Sequence, residues 1–91
     1  MGELEKSYHN FRIFINSEEH YPPHVHVVDL DNPKNKSRIR IDNGQYLKGD
    51  KDLGHGSSKI RKYIRTELKT RCINEWNKLN PELPYKEGIG E

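Results

Sequence analysis

Two histidines separated by a single valine lie in the segment Pro22-Pro23-His24-Val25-His26-Val27-Val28, the densest run of chemically capable side chains in the sequence. On an extended strand, side chains two positions apart point the same way, about 6.6 Å apart along the backbone. Three roles fit such a pair. One imidazole can serve as base and the other as acid in RNA cleavage, because an unperturbed pKa of about 6.5 leaves both protonation states populated. The two can share a metal ion, with His20 in the preceding turn as a third ligand. Or both can hydrogen-bond neighbouring backbone and shape the Pro-Pro turn. The metal reading is the weakest of the three, because the sequence offers no nearby cysteine and Asp29 falls on the opposite side of the strand. No cofactor is therefore expected.

The other chemically capable residues are dispersed. His9 and the His55 of Gly54-His55-Gly56 read as surface residues, and the glycine spacing matches no phosphate-binding loop. Cys72, the single cysteine, falls in an apolar stripe and reads as a small core residue. With one thiol there is no intrachain disulfide and no cysteine-based zinc site, which points to a reducing compartment. No run approaches the ~18 apolar residues that cross a bilayer, and no apolar signal segment opens the sequence, so a cytoplasmic, membrane-free protein is expected.

Several strands are needed to hold the histidines in place. Phe11-Arg12-Ile13-Phe14-Ile15 alternates apolar and mixed positions and predicts a first strand. Asn16–Tyr21 is a polar turn, and Pro22-Pro23 bars a helix there. A strand from His24 to Asp29 follows, then a loop around Asp31-Asn32-Pro33-Lys34-Asn35, then a strand over Ser37–Asp42. Asn43-Gly44 is a hairpin signal of the type that places two residues at positive φ, returning along Gln45-Tyr46-Leu47. Ile60, Ile64, Leu68, Cys72 and Trp76 recur every fourth residue, predicting one long helix from a Ser57 or Ser58 cap to near Asn80. At about 22 residues it would be roughly 33 Å long.

The expected architecture is α+β: a three- to four-stranded, mostly antiparallel sheet with one long C-terminal helix packed on one face. Residues 10–80 form the domain, with residues 1–9 and 81–91 as flexible tails. Phe11, Ile13, Ile15, Val25, Val27, Ile39 and Ile41 would face the helix. The opposite face would present Arg12, Phe14, His24, His26, Val28, Arg38 and Arg40, and a sheet covered on one side leaves the other to water or a partner.

Ninety-one residues give room for one core only, and a net charge of +2 is unevenly spread. Residues 1–32 carry two basic and six acidic side chains, whereas residues 57–80 carry seven basic and two acidic. Residues 33–56 carry six basic and three acidic, and residues 81–91 one basic and three acidic. An anionic partner would meet the middle of the chain and the helix. Arg12, Phe14, Arg38 and Arg40 on the open face form an RNA-binding mix of cations and an aromatic platform. Lys62, Arg65 and Lys69 align as a second basic stripe on the helix.

The stretch Phe11–Val27, with its Pro-Pro-His-x-His-Val element, resembles domain-of-unknown-function family 4160, a small prokaryotic family. The hairpin at Arg38–Leu47 and the late helical Glu75-Trp76 are similar to that family's pattern, so the likeness covers residues 10–80. Val25 stands where an aromatic is common, and the Asp29–Ser37 insertion is longer and more polar than usual. The resemblance implies one half of a toxin–antitoxin module, with His24 and His26 as the functional residues and Pro22 and Pro23 as their support. The resulting expectation is a toxin-like component acting on RNA or the translation machinery, partnered by an antitoxin protein. Its rivals are a non-catalytic protein-interaction module and a small metal-binding domain.

Overall fold

The computed structural model describes residues 1–90. Four strands, β1 (Gly2–Tyr8), β2 (Phe11–Ile15), β3 (His24–Asp29) and β4 (Lys36–Arg40), are followed by helices α1 (Ser57–Arg65) and α2 (Lys69–Leu79). The strands pair in chain order, every pair antiparallel. The α+β class and the antiparallel sheet are as the sequence reading expected.

The residues expected to face the helices do so: Ile13, Ile15, Val25, Val27, Ile39 and Ile41 have no solvent exposure, nor have Ile60, Ile64, Cys72 and Trp76. Burial pushes the Cys72 thiol up to about 12, so it stays a thiol in the core, as its place in the stripe suggested. Among the described residues, no helix is long and apolar enough to cross a membrane.

The helical region differs from expectation. Instead of one long helix there are two short ones, broken at Thr66 (φ −121°, ψ −90°). The Leu68 N–H reaches back to the Tyr63 carbonyl at 2.9 Å, and the Thr66 hydroxyl donates to the Lys62 carbonyl at 2.6 Å. Geometry explains the break. A four-residue spacing drifts by about 40° per step around a straight α-helix. Carried from Ile60 to Trp76 it would turn the stripe away from the sheet, and the break at Thr66–Leu68 resets it. The expected serine cap is also absent: Gly56, at φ 82°, occupies the N-cap position, and the Ser57 hydroxyl is engaged with the Tyr46 hydroxyl instead.

The N-terminal segment expected to be a tail is strand β1. Leu4 is buried, the Arg71 guanidinium donates to the Leu4 carbonyl at 2.6 Å, and Tyr8 stacks on Tyr63 at 3.8 Å between ring centres. The two-residue turn with both central φ values positive occurs at His9 (48°) and Asn10 (68°), joining β1 to β2. At Asn43-Gly44 only Gly44 has positive φ (71°). A Cβ there would lie 2.6 Å from the Arg61 carbonyl oxygen, so close helix packing requires this glycine. The expected return strand at Gln45–Leu47 is reduced to a single bridge, Ile39 to Tyr46.

The C-terminal segment is also fastened rather than loose. The Trp76 indole N–H donates to the Leu83 carbonyl at 2.6 Å, Tyr21 to the Pro84 carbonyl at 2.5 Å and Arg40 to the Ile89 carbonyl at 2.6 Å. Glu91 lies outside the described residues.

Candidate functional site

Strand register builds the site on the sheet face away from the helices. Phe14 on β2, His26 on β3 and Arg38 on β4 are direct cross-strand partners in one row. Arg12, Val28 and Lys36 form the row beside it by the same pairing. The Phe14 and His26 rings are stacked, 5.2 Å apart and 12° from parallel, and the Arg12 guanidinium carbon lies 4.5 Å from the Phe14 ring centre. The loop after β4 folds back over the strand edge, where the Ser37 hydroxyl donates to the Lys51 carbonyl at 2.5 Å and Asp50 accepts from the Arg38 backbone N–H at 2.7 Å. Between loop and sheet lies an open cavity of about 650 Å³ lined by Phe14, Asn16, His26, Lys36, Arg38, Asp50 and Lys51, among others.

The two histidines part company within this arrangement. His26 is partly exposed and lines the cavity, whereas His24 is fully buried. His24 begins β3 at the end of the sheet, where its ring lies 5.6 Å from that of Trp76 and 5.4 Å from that of His20. The sequence reading placed both on the open face as a contacting pair. The correction is that His24 does not line the cavity: it is fully buried, with the turn before β3 closed over it.

Glu19, a residue the sequence reading passed over, closes that turn. Its carboxylate accepts from His26 Nε2 at 2.6 Å and lies 3.3 Å from His24 Nε2. The turn that bears Glu19 is anchored to the end of α2. Asn80, buried at the end of α2, accepts from the Glu19 backbone N–H at 2.8 Å and donates to the Asn16 carbonyl at 3.0 Å. Burial pushes the Glu19 pKa up, but the hydrogen bond from His26 and the neighbouring His24, His26 and His20 outweigh it, leaving the group below its ordinary value. Burial lowers the His24 pKa, against the opposing pull of the Pro22 carbonyl and Glu19. A carboxylate hydrogen-bonded to an imidazole fixes the ring's orientation, so His26 with Glu19 is an oriented dyad at the cavity wall.

The remaining candidates divide. Arg38 stays at the cavity wall, its guanidinium fork on Asp50 at 3.0 and 2.8 Å, which holds Asp50 below its usual range. Arg12 is paired with Glu3 at 3.0 Å and remains beside Phe14. Arg40, expected as a phosphate clamp, is occupied by Asp42 at 2.9 and 2.7 Å and is covered by the C-terminal segment. His20 does not join His24 and His26 as a third ligand. Its Nδ1 donates to the Tyr21 carbonyl at 2.9 Å, and the group that converges is Glu19, His24 and His26. Lys36 and Lys51, also passed over, supply further positive charge to the cavity.

The signal for Glu19 was present as the acidic pair Glu18-Glu19 in the turn before the histidines. A turn that must reverse the chain between β2 and β3 brings its side chains back beside the strand it precedes.

No curated protein and no solved structure is significantly similar to this chain. The family model described as "Domain of unknown function (DUF4160)" matches residues 10–77, a span that holds β2 to β4, the turn bearing Glu19, both helices up to Asn77 and the histidine pair. The chain belongs to that family.

Proposed function

We propose that this protein is the toxin-like component of a prokaryotic toxin–antitoxin pair and acts on RNA from the open face of its sheet. The observation that carries the reading is the Phe14–His26–Arg38 row facing a cavity that also takes Lys36 and Lys51. A flat aromatic ring beside cations is the arrangement on which a nucleic-acid base stacks while its phosphates are neutralised. The His26–Glu19 dyad sits at the middle of that row, where a phosphodiester held by the cations would meet it. An antitoxin would act by covering the same face.

Expression of the wild-type chain in a bacterial host should arrest growth, and the purified protein should cleave single-stranded RNA. His26→Ala should lower turnover by about 10²–10⁴-fold, the range for loss of a positioned acid–base group. Lys78→Ala, on an exposed turn of α2 away from the cavity, should leave both arrest and cleavage unchanged. RNA binding at low salt without cleavage would convert the reading to a non-catalytic RNA-binding module. Absence of both cleavage and binding, with a protein partner captured on the same face, would make it a protein-interaction module.

A further inference from the structure

We propose that Glu19, His24 and His26 form a binding site for one divalent metal ion of the zinc class. One ligand atom from each of the three lies within 4.8 Å of those from the other two. Two imidazole nitrogens and one carboxylate oxygen suit a borderline ion such as zinc better than calcium or magnesium, which favour oxygen-only sites.

The decisive feature is His24. Its Nδ1 is 2.8 Å from the Pro22 carbonyl oxygen, which can only accept, so Nδ1 carries the proton and donates. The neutral ring then has its lone pair at Nε2. That nitrogen is buried, makes no hydrogen bond to any described residue, and lies 3.3 Å from Glu19 Oε2. Two electron-pair acceptors facing each other out of water repel unless a positive charge lies between them. A metal ion supplies that charge. A backbone carbonyl fixing the far nitrogen of a buried imidazole is also how metal-binding histidines are commonly oriented.

The rest of the site is similarly prepared. His24 and His26 sit two residues apart on one strand, and Asn80 holds the turn that carries Glu19. In a tetrahedral zinc site adjacent ligand atoms are about 3.3 Å apart, given bonds of about 2.0–2.1 Å. The separation of His24 Nε2 from Glu19 Oε2 already matches, whereas His26 Nε2 lies 2.6 Å from the other oxygen, Oε1, and would move outward by roughly 0.7 Å as the ion replaces the shared proton. No further His, Cys, Asp or Glu of the described residues joins the group, so water fills the fourth position. The inference stands on this geometry alone and is a separate use of the same atoms: an ion here would take the His26 Nε2 lone pair, so His26 would then hold the metal instead of acting as acid or base on RNA.

Metal-free protein titrated with zinc(II) against a chromophoric chelator should take up one equivalent. Cobalt(II) in its place should give the intense visible bands of a four-coordinate ion. Glu19→Gln should weaken zinc binding by about tenfold or more, and His20→Ala should leave it unchanged. Should Glu19→Gln fail to fold, imidazole nitrogen NMR of the wild type decides: zinc should shift His24 Nε2 and His26 Nε2 and leave His20 in place. Wild-type protein that binds no zinc, or zinc that perturbs His20, His9 or His55 while His24 and His26 stay fixed, would overturn the proposal. A proton shared between His24 and Glu19 would then fill the gap.

Discussion

His24 and His26 share a spacing but not an environment, and the difference comes from residues remote in sequence. Trp76 and the Glu19 turn bury His24, while His26 remains at the cavity. Alternation along β3 was legible in the sequence, and so was the shared face of Phe14, His26 and Arg38, but the register that sets them in one row was not. The burial of His24 was not, because it depends on a turn folding back and on Asn80 holding it 61 residues away from Glu19. Asn80→Ala should therefore destabilise the protein by about 1–3 kcal/mol, the cost of leaving buried backbone groups without partners. Thermal denaturation measures this, and an unchanged melting temperature would show that the turn does not need Asn80. Asp42 offers a second check. Burial pushes its carboxyl pKa up, but Arg40 and the Gly88 and Asn43 backbone N–H groups outweigh it and hold the group below 3.8. A depressed folded-state pKa means that its stabilisation is complete above 3.8 and is lost as pH falls below that value. The melting-temperature advantage of wild type over Asp42→Asn should accordingly shrink on acidification below that point. An advantage that persists unchanged would place the stabilisation elsewhere.

The strands and helices show where periodicity is sufficient and where it misleads. β2, β3 and β4 alternate clearly and were read within a residue or two of their ends. β1 was missed because Leu4 is its one large buried aliphatic residue, and its other anchors are polar or aromatic contacts with α1 and α2. The apolar stripe identified the buried helical positions correctly but not the interruption. An every-fourth-residue pattern this long cannot face one direction on a straight helix, so the spacing itself held the signal for a break. The break also divides the basic residues: Lys62 and Arg65 lie on α1, whereas Lys69 begins α2 and pairs with Glu87 at 2.6 Å. The expected continuous stripe across Lys62, Arg65 and Lys69 is therefore not formed. Trp76 is the residue on which α2 docks. Trp76→Ala should cost about 3–5 kcal/mol, a large share of a small domain's stability. A folded variant with an unshifted melt would contradict this role of α2.

Across the whole molecule, the proposed reading places the anion on the sheet face and not on the helices. The helical cations outnumber those of the cavity in sequence, but several are committed to the fold. Arg61 donates to the Gly44 carbonyl at 2.7 Å, Lys69 is paired with Glu87, and Arg71 holds the Leu4 carbonyl. Composition could locate the basic segments but not which of their side chains fold structure consumes. The cavity combines Lys36 and Lys51 with a stacked aromatic pair and with Arg38, itself held on Asp50, and on the proposed reading this combination would meet both the backbone and the bases of a nucleic acid. The central claim is that this face receives RNA. The most direct test is to titrate a short single-stranded RNA into the isotope-labelled protein at low salt and follow every backbone amide by NMR. The account predicts that shifts concentrate at Phe14, His26, Arg38 and Gly49–Lys51, and that they diminish as salt is raised. Shifts centred on Lys59–Arg65 with the cavity unmoved, or no shifts at any RNA concentration, would contradict it.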